Sequence, residues 1–272
     1  LLFWYAGAFS LNSNWAYNKA ERAGVVLSFS ELVSDTWSQE KPRLPAPHQV
    51  GLEIWKTTVE KKISSKRSLI YHSWITLSST LLGFVIGTSL GIILAIGIVH
   101  NNAMNMSVMP WAIASQTVPI LAIAPMIIVV LNSVGVQGLL PKAIISSYLS
   151  FFPVVVGMVK GLRSPEKTHI DLLHTYSANN TQKFWKLRLP TSMPFLFASL
   201  KIGIAASLVG AIVGELPTGA VKGLGARLLA GSYYGQTIQI WSALIMAAIL
   251  AASLVAIISV IQNSTLKRMG IT

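Results

Sequence analysis

The sequence predicts an all-α membrane protein of six transmembrane helices, and three observations support that fold class. Only 11% of the 272 residues are charged and 53% are hydrophobic, whereas roughly 25% of the residues of a soluble protein are charged. The charges are concentrated in residues 19–67, residues 160–188 and the last few residues. Between these segments lie apolar runs of about 20 residues, which is the length that a helix needs to cross a bilayer.

Five apolar runs are interpreted as the second to the sixth transmembrane helix. They comprise residues 75–99, 109–132, 141–161, 192–214 and 239–262. Residues 1–8 are interpreted as the end of an incomplete first helix, because they are apolar and show neither a basic leader nor a small-residue cleavage site. The chain is therefore divided into residues 1–74, which hold this helix end and an extracytoplasmic segment, and a five-helix core at residues 75–272.

The orientation of the helices follows from their basic connections. The connection 162–189 and the C-terminal tail are both rich in Lys and Arg and are separated by two transmembrane helices. Both therefore lie on one side, which the positive-inside rule makes cytoplasmic. This places residues 9–72 outside, although they are also basic, since the rule weakens for loops longer than about 60 residues. Within that segment, residues 48–62 fit either an amphipathic helix on the membrane surface or a solvated loop helix.

Composition and motifs exclude several classes of function. The net charge of +12 is attributed to cytoplasmic loops and anionic lipid headgroups rather than to nucleic acid. The chain has no cysteine, and its five histidines lie mostly in loops without an H-E-x-x-H motif. We therefore expect neither a metal site nor a catalytic site. It also lacks the G-x-x-x-x-G-K-[ST] phosphate loop, so any ATP hydrolysis belongs to a partner.

Small residues at helical spacing predict close helix packing in two of the runs. In the first run, Gly83, Gly87 and Gly91 recur every four residues. In the run 192–214, the corresponding positions are Gly203, Ser207, Ala211 and Gly214. A helix face without large side chains lets a neighbouring backbone approach closely, and we therefore expect a tightly packed bundle.

Three polar or helix-breaking residues are candidates for a substrate pathway. Gln116 precedes Pro119 by three residues inside an apolar run, and Glu215 is the only acid in the C-terminal third of the chain. A carboxylate at membrane depth indicates a functional role by default. The alternative for Glu215 is a position at the outer boundary, where it is hydrated or paired with Lys222 or Arg227.

The connection 162–190 carries a pattern that a simple loop would not need. Asp171 is predicted to open one short helix and Ser177 to cap a second. The following Phe184 and Trp185 place aromatic side chains next to the membrane. Such exposed rings are typical of an interfacial anchor or of a docking surface.

This connection resembles the coupling loop of ABC importer permeases, in which a Glu-Ala-Ala triplet, a glycine and an apolar-x-Leu-Pro sequence recur at fixed spacing. When the two are aligned on Leu189 and Pro190, Leu187 takes the apolar position. Ser177 then takes the position of the glycine, and Asp171 begins the segment that matches the triplet. The spacing is kept, but the glycine and both alanines are replaced.

The resemblance extends over about residues 70–262. The segment Ser115–Pro125 (SQTVPILAIAP) is similar to the proline-containing third helix of the branch that imports nitrate, sulfonates and taurine. Gly214–Gly219 (GELPTG) and the Gly-Leu-Gly at 223–225 are similar to the glycine motif that follows the fifth helix in that branch. Within the branch, the long polar insert after the first helix and the GELPTG segment most resemble permeases for vitamin precursors, of the hydroxymethylpyrimidine or riboflavin type.

The resemblance implies a type I ABC importer permease in a bacterial inner membrane. Two copies of the chain, a homodimer, would enclose the substrate pathway in the lipid bilayer. A periplasmic solute-binding protein would deliver the substrate, and a cytoplasmic dimer of ABC ATPases would bind ATP and Mg²⁺. The permease itself would be no enzyme and would hold no cofactor. The residues implied to couple it to the ATPase are Asp171, Ser177, Ala178, Phe184, Trp185, Leu187, Leu189 and Pro190.

The implied substrate is a small organic solute, either a vitamin precursor such as a pyrimidine or riboflavin, or an anion of the sulfonate, nitrate or taurine kind. The alternative from the residues alone is a stand-alone secondary transporter or channel. That class usually shows repeated broken helices and several ionisable groups near the middle of the membrane, and here only Glu215 comes near to that description.

Overall fold

Twelve α-helices and their connections make up residues 1–24, 28–217 and 222–270, the part of the chain that the computed structural model describes, and this part contains no strand. The all-α prediction is confirmed. In chain order the helices are α1 (Leu2–Ala23), α2 (Phe29–Ser38), α3 (Pro47–Trp55), α4 (Leu69–His100), α5 (Asn102–Ser115), α6 (Ile120–Ser133), α7 (Leu139–Leu162), α8 (Lys167–Thr175), α9 (Asn180–Lys183), α10 (Leu189–Glu215), α11 (Leu224–Tyr233) and α12 (Thr237–Arg268). Two stretches of wider π-helix follow α3 and α9, at Lys56–Glu60 and Phe184–Arg188.

Four helical segments in the described part are long and apolar enough to cross a membrane, and a bent pair would make a fifth span. The four are Leu69–His100, Leu139–Leu162, Asn180–Glu215 and Thr237–Arg268, and the pair is α5 with α6. The described part of the chain thus contains four or five candidates for the six predicted spans. The predicted helix end at residues 1–8 lies in α1, which continues to Ala23 and carries Lys19, Glu21 and Arg22 in its second half. Helix α1 is not among the candidate spans.

The predicted run 109–132 is not one continuous helix. It is divided between α5 and α6, whose axes meet at an angle of 100°. Pro119 has no backbone N–H and disfavours helical backbone at the preceding residue. Helix α5 therefore ends at Ser115, and Pro119 takes the cap position of α6. The segment Gln116–Pro119 between them is called the helix break below.

The described chain divides into two compact units. The first comprises Leu1–Ile75 and Gly219–Ile249, and the second comprises Thr76–Thr218 and Leu250–Thr272. Helices α4 and α12 each begin in the first unit and end in the second. Each unit has its own set of buried polar contacts.

In the first unit, the buried side chain of Asn12 holds the segment that precedes α3. Its amide nitrogen donates to the carbonyl oxygens of Thr36 (3.2 Å) and Leu44 (2.9 Å). Its amide oxygen accepts from the backbone N–H of Arg43 (2.8 Å) and of Leu44 (3.3 Å). All the hydrogen-bonding capacity of this side chain is thus used to fix an irregular stretch of backbone.

Arg227, also in the first unit, lies on α11 with only 8% of its surface exposed. One guanidinium nitrogen donates to the carbonyl of Arg67 (3.1 Å), and another lies 3.8 Å from a carboxylate oxygen of Glu53. Burial lowers the pKa of the Arg227 guanidinium, and the Glu53 carboxylate opposes that change. Close by in sequence, Gly223 donates its backbone N–H to Nδ1 of the buried His72 (2.9 Å). These contacts attach α11 to α3 and to the beginning of α4.

In the second unit, α7 is the central helix, and α4 packs on it through glycines. A Cβ atom at Gly83 would lie 2.5 Å from the Cβ of Ser146 and 2.6 Å from the carbonyl oxygen of Ala143. At Gly91 it would lie 3.0 Å from the carbonyl oxygen of Phe151. Gly87 is equally crowded by α7. The backbone of α4 therefore lies against α7 at a distance that only glycine permits.

Helix α10 packs on α7 in a similar way. A Cβ atom at Gly203 would make ordinary van der Waals contacts at 3.4–3.5 Å, and one at Gly214 would lie 3.3 Å from the Cα of Lys142, which is closer than ordinary contact. The closest approaches are at Gly210, where a Cβ would lie 2.7 Å from the Cα of Ser146, and at Gly157 of α7, where it would lie 2.5 Å from Ser199.

Buried hydroxyl groups connect the same three helices. Ser146 Oγ of α7 donates to the carbonyl of Ser207 in α10 (2.7 Å), and Ser207 Oγ donates to the carbonyl of Thr80 in α4 (2.8 Å). The helix carbonyls accept these bonds in addition to their own, and the hydroxyls would otherwise be unsatisfied in an apolar interior. The glycine contacts and the hydroxyl contacts together define a three-helix core.

We expect Gly83→Ala to lower the thermal unfolding midpoint of the detergent-purified protein. The added methyl group meets the backbone of α7, and overpacking of this kind costs about 1–3 kcal/mol. The control is Gly97→Ala in the same helix, where the new methyl group meets only the flexible end of Met104. Equal midpoints for the two variants would contradict the packing described here.

Candidate functional site

The carboxylate of Glu215 is fully buried at the end of α10. Its two oxygens accept from the hydroxyl of Thr76 at 2.9 and 3.0 Å, and one of them lies 3.9 Å from Nζ of Lys142. The Lys142 side chain is itself only 9% exposed. The structure thus buries this carboxylate completely and places Lys142, which neither interpretation named, beside it.

Lys142 is the residue that the sequence analysis missed at this site. It lies in the first turn of α7, and α7 runs antiparallel to α10, so the beginning of one helix meets the end of the other. The sequence did indicate that this residue is unusual, because Lys142 is the only charged residue between His100 and Lys160. A lone cation and a lone carboxylate at matching ends of two antiparallel spans are complementary in charge and in depth.

The helix break lies at the depth of the middle of α7. The hydroxyl of Tyr148 in α7 donates to the carbonyl of Ser115, the last residue of α5. Gln116 and Pro119 are exposed, and the amide of Gln116 reaches only the neighbouring Ser115 hydroxyl (3.4 Å). The described contacts join neither of these two residues to Glu215. The three candidate pathway residues thus lie at two separate sites. Gln116 and Pro119 belong to the helix break, and Glu215 belongs to the buried pair with Lys142.

The connection 162–190 folds differently from its predicted helix boundaries. Helix α8 begins at Lys167, so Asp171 lies in its middle and does not open it. The cap of the second short helix is Asn179 and not Ser177. Asn179 and Gln182 form a reciprocal capping box, in which each side-chain oxygen accepts the other residue's backbone N–H at 2.8–2.9 Å. An asparagine three residues ahead of a glutamine makes both bonds, which Ser177 is too far away to make.

Ser177 takes a left-handed backbone conformation, with φ of 56°. In the part of the chain that the structure describes, it is the one non-glycine residue with positive φ. This conformation costs an ordinary residue about 1 kcal/mol or more, whereas glycine adopts it freely. The position aligned with the glycine of the coupling loop thus has the backbone geometry that favours glycine.

Pro190 lies in the first turn of α10, which continues from the preceding helical turns without a gap. Residues Asn180–Glu215 form one continuous helical segment that passes through the wider turns at Phe184–Arg188. Since Pro190 has no N–H to donate, the regular hydrogen-bond pattern is interrupted just before it. The N–H of Leu189 reaches back five residues to the carbonyl of Phe184, which is the π-helical pattern.

The side chains of this connection divide into an outward and an inward group. Trp185 is 62% exposed, whereas Phe184 is half-buried against the ring of His100. The expectation that both rings are exposed is therefore wrong for Phe184, because its side chain packs on the end of α4. Two further apolar side chains, Leu172 (54%) and Tyr176 (76%), are exposed on the same connection. The inward group consists of Ala178, Phe184, Leu187, Leu189 and Pro190, all of them half-buried.

An all-helical chain with several apolar spans has the features of a multi-pass membrane protein. Residues 87–271 match the family described as the binding-protein-dependent transport system inner membrane component, and the chain belongs to that family. It is therefore a permease subunit of an ABC-type transporter and resides in the inner membrane. The family consists of transport subunits that act with an ATPase and a substrate-binding protein, which replaces the alternative of a stand-alone transporter.

Several characterised or named permeases are similar to this chain. The formylaminopyrimidine transport permease protein ThiX of Halalkalibacterium halodurans is 31% identical over 67% of this chain and 68% of that protein. A probable ABC transporter permease protein of Haemophilus influenzae is 26% identical over 82% of this chain and 86% of its own length. The riboflavin transport system permease protein RibX of Chloroflexus aurantiacus is 29% identical over 68% of this chain and 65% of that protein.

We expect Glu215→Gln to destabilise the protein, because it leaves the buried ammonium group of Lys142 without a counter-charge. Breaking one side of a buried ion pair costs about 3–5 kcal/mol, and removing both charges is far less costly. Thermal unfolding in detergent should therefore show a lower midpoint for Glu215→Gln and a partial recovery for Glu215→Gln combined with Lys142→Met.

The control for these variants is Lys160→Met, which removes an exposed charge from the other end of α7. It should leave the unfolding midpoint nearly unchanged. A double variant less stable than Glu215→Gln alone would contradict the pairing of Glu215 with Lys142.

Proposed function

We propose that this chain forms, as a homodimer, the substrate pathway of an importer and is driven through residues 171–190 by a separate cytoplasmic ATPase. The observation that carries the proposal is the continuous helical segment Asn180–Glu215. At a rise of 1.5 Å per residue it is about 50 Å long. Its N-terminal end belongs to the connection 162–190, and its C-terminal end carries the buried carboxylate of Glu215. A movement imposed on the connection therefore reaches the opposite end of α10 through a single helix.

The surface that would meet the ATPase consists of Leu172, Tyr176 and Trp185. These large apolar side chains are more than half exposed, and they lie among charged residues such as Lys167 and Asp171. Contiguous apolar groups with a polar rim mark protein contacts. ATP and Mg²⁺ are bound by that partner, and this chain supplies only the surface that its groove receives.

The helix break is the part of this chain that we assign to the substrate pathway. Irregular backbone within a membrane is tolerated only where it is covered by protein or lines a water-filled cavity. Because Gln116 and Pro119 are exposed in the single chain, they face either the second copy or the pathway between the copies. Glu215 has a different role in this proposal: with Lys142 it fixes the ends of α7 and α10 on the extracytoplasmic side.

The polar groups at the helix break favour a neutral substrate. Ser115, Gln116 and Thr117 offer hydroxyl and amide groups and no charge. Such groups pair with the ring nitrogens and carbonyls of a heterocycle, whereas an anion such as a sulfonate or nitrate calls for a fixed cation. We therefore propose a small heterocyclic vitamin precursor, of the pyrimidine or riboflavin kind, delivered by a solute-binding protein.

Purification of the tagged chain from its native membrane tests the proposal directly. We expect a stoichiometric ATPase to co-purify, and its activity to rise when the solute-binding protein is added. The ligand carried by that binding protein would identify the substrate. Isolation of the chain without any ATPase would contradict the proposed function and reduce the connection 171–190 to an interfacial anchor.

We expect Ser177→Arg and Ala178→Glu to uncouple ATP hydrolysis from uptake while the protein still inserts into the membrane. Both changes place a bulky charge at the turn that precedes the helical stretch 180–188, which is called the docking helix below. Uptake and ATP hydrolysis are measured together in proteoliposomes that contain the assembled transporter. The control is Ser177→Gly, which suits the left-handed backbone at this position and should keep uptake normal. Normal uptake in the two charged variants would contradict the assignment of the coupling loop.

A further inference from the structure

We propose that His100 is a positioning residue that passes movement of the docking helix to α4 and α5, through an aromatic relay formed by Trp185, Phe184 and His100. This inference rests on the proposed function, since it concerns how the docking connection reaches the pathway. The relay differs from the route along α10, because it leaves the docking helix at its side and enters another helix of the second unit.

The three rings form a continuous edge-to-face series. The centroids of Trp185 and Phe184 are 5.4 Å apart with an interplanar angle of 84°. Those of Phe184 and His100 are also 5.4 Å apart, with an angle of 63°. Both pairs have the distance and tilt of favourable aromatic contacts. The series begins at an exposed ring on the docking surface and ends at the last residue of α4.

Phe184 is anchored to α4 by its apolar surroundings as well as by the histidine ring. It packs on a buried cluster that includes Ala95 and Ile98 of α4 and Met158 and Leu162 of α7. Close-packed interiors transmit displacement because they have little room to compress. A push on the turn that carries Phe184 therefore moves the end of α4 and does not dissipate in a loose side chain.

His100 is held in one orientation and lies at a junction between two helices. Its Nδ1 donates to the carbonyl of Ile96 (2.8 Å), which fixes the ring on α4. Only Asn101 separates α4 from α5, and its side-chain oxygen caps α5 by accepting from the N–H of Ala103 (2.9 Å). A displacement of His100 thus enters α5 directly, and the far end of α5 is the helix break at Gln116.

The wide turns at Phe184–Arg188 favour a second route beside the one along α10. They are the least regular part of the segment Asn180–Glu215, because Pro190 interrupts the hydrogen-bond pattern there. They therefore transmit a movement along α10 less stiffly than a regular helix would. The contact of Phe184 with His100 is made at the first residue of the wide turns and therefore bypasses them.

A cavity beside the contact gives the rings space to shift. It has a volume of about 210 Å³ and is lined by Ile96, His100, Asn180, Thr181 and Phe184. The relay is thus packed on the side of the buried cluster and open on the other side. The rings and the end of α4 can therefore move together into this space without first breaking the three-helix core.

The test measures uptake and ATP hydrolysis in proteoliposomes that contain the complete transporter with its ATPase and solute-binding protein. His100→Leu and Phe184→Leu should each lower the uptake per ATP hydrolysed by about three- to tenfold, the range that the loss of one aromatic contact gives. In His100→Leu, ATP hydrolysis and assembly with the ATPase should stay close to those of the unmodified protein. His100→Phe should restore the ratio to within about twofold, because it keeps the edge-to-face contact.

The matched control is His169→Leu, the same substitution at an exposed histidine of α8, and it should not change the ratio. The double variant His100→Leu with Phe184→Leu should be no worse than either single variant, because both remove the same contact. An unchanged ratio in His100→Leu, a failure of His100→Phe to restore it, or additive losses in the double variant would overturn the relay.

The unmodified transporter separates the two proposals. If it shows no ATP-driven uptake, the proposed function fails and the relay fails with it. If it shows uptake and the variants behave like the control, only the relay is overturned. Thermal unfolding of each variant is recorded beside the transport assay, and the expected result is a midpoint close to that of the unmodified protein. A large fall in the midpoint for His100→Leu that His100→Phe does not reverse would assign the residue to stability alone.

Discussion

The close approach of α4 and α10 to α7 is the constraint on which the second unit depends. In a bilayer there is little hydrophobic driving force between helices, so they associate through close packing and buried hydrogen bonds. Gly83 and Gly210 supply the close packing from either side, and both meet Ser146 of α7. The hydroxyl of Ser146 in turn bonds to Ser207. One serine thus faces a bare glycine on each neighbouring helix, and this arrangement sets how closely the three helices approach one another.

The polar groups around this core are of two kinds. Some are buried and stabilise the structure, and others are exposed and remain available for binding. Glu215, Lys142 and Thr76 contact one another at the end of the core. The helix break and the docking connection keep exposed groups, the first in the middle of the bundle and the second at its end. Such a division suits a transporter, because a rigid group of helices can transmit a force. The irregular segments attached to it can meanwhile exchange one set of contacts for another.

The sequence was sufficient for the all-α class, for the family and for most apolar runs, since these depend on composition and on long periodic patterns. It was insufficient where a single residue determines the backbone conformation, as at a helix bend or a helix cap. A proline inside an apolar run does not reveal whether the helix bends or breaks, and the outcome at Pro119 differs from that at Pro153, which lies within the continuous α7. The cap at Asn179 was missed in favour of Ser177, although the Asn-x-x-Gln pattern was visible. The partner of Glu215 required the antiparallel pairing of two helices that are far apart in sequence.

The buried pair of Lys142 and Glu215 also restricts how this chain is inserted into the membrane during its synthesis. Lys142 leaves the ribosome well before Glu215, so α7 is completed while its cation still lacks a partner. A lone ammonium group at depth is costly, but a position in the first turn of α7 allows it to stay hydrated at the membrane boundary. It becomes buried only when α10 arrives with its carboxylate. The arrival of α10 therefore neutralises a charge that waits at the surface, and the order of these two helices along the chain makes that sequence of events possible.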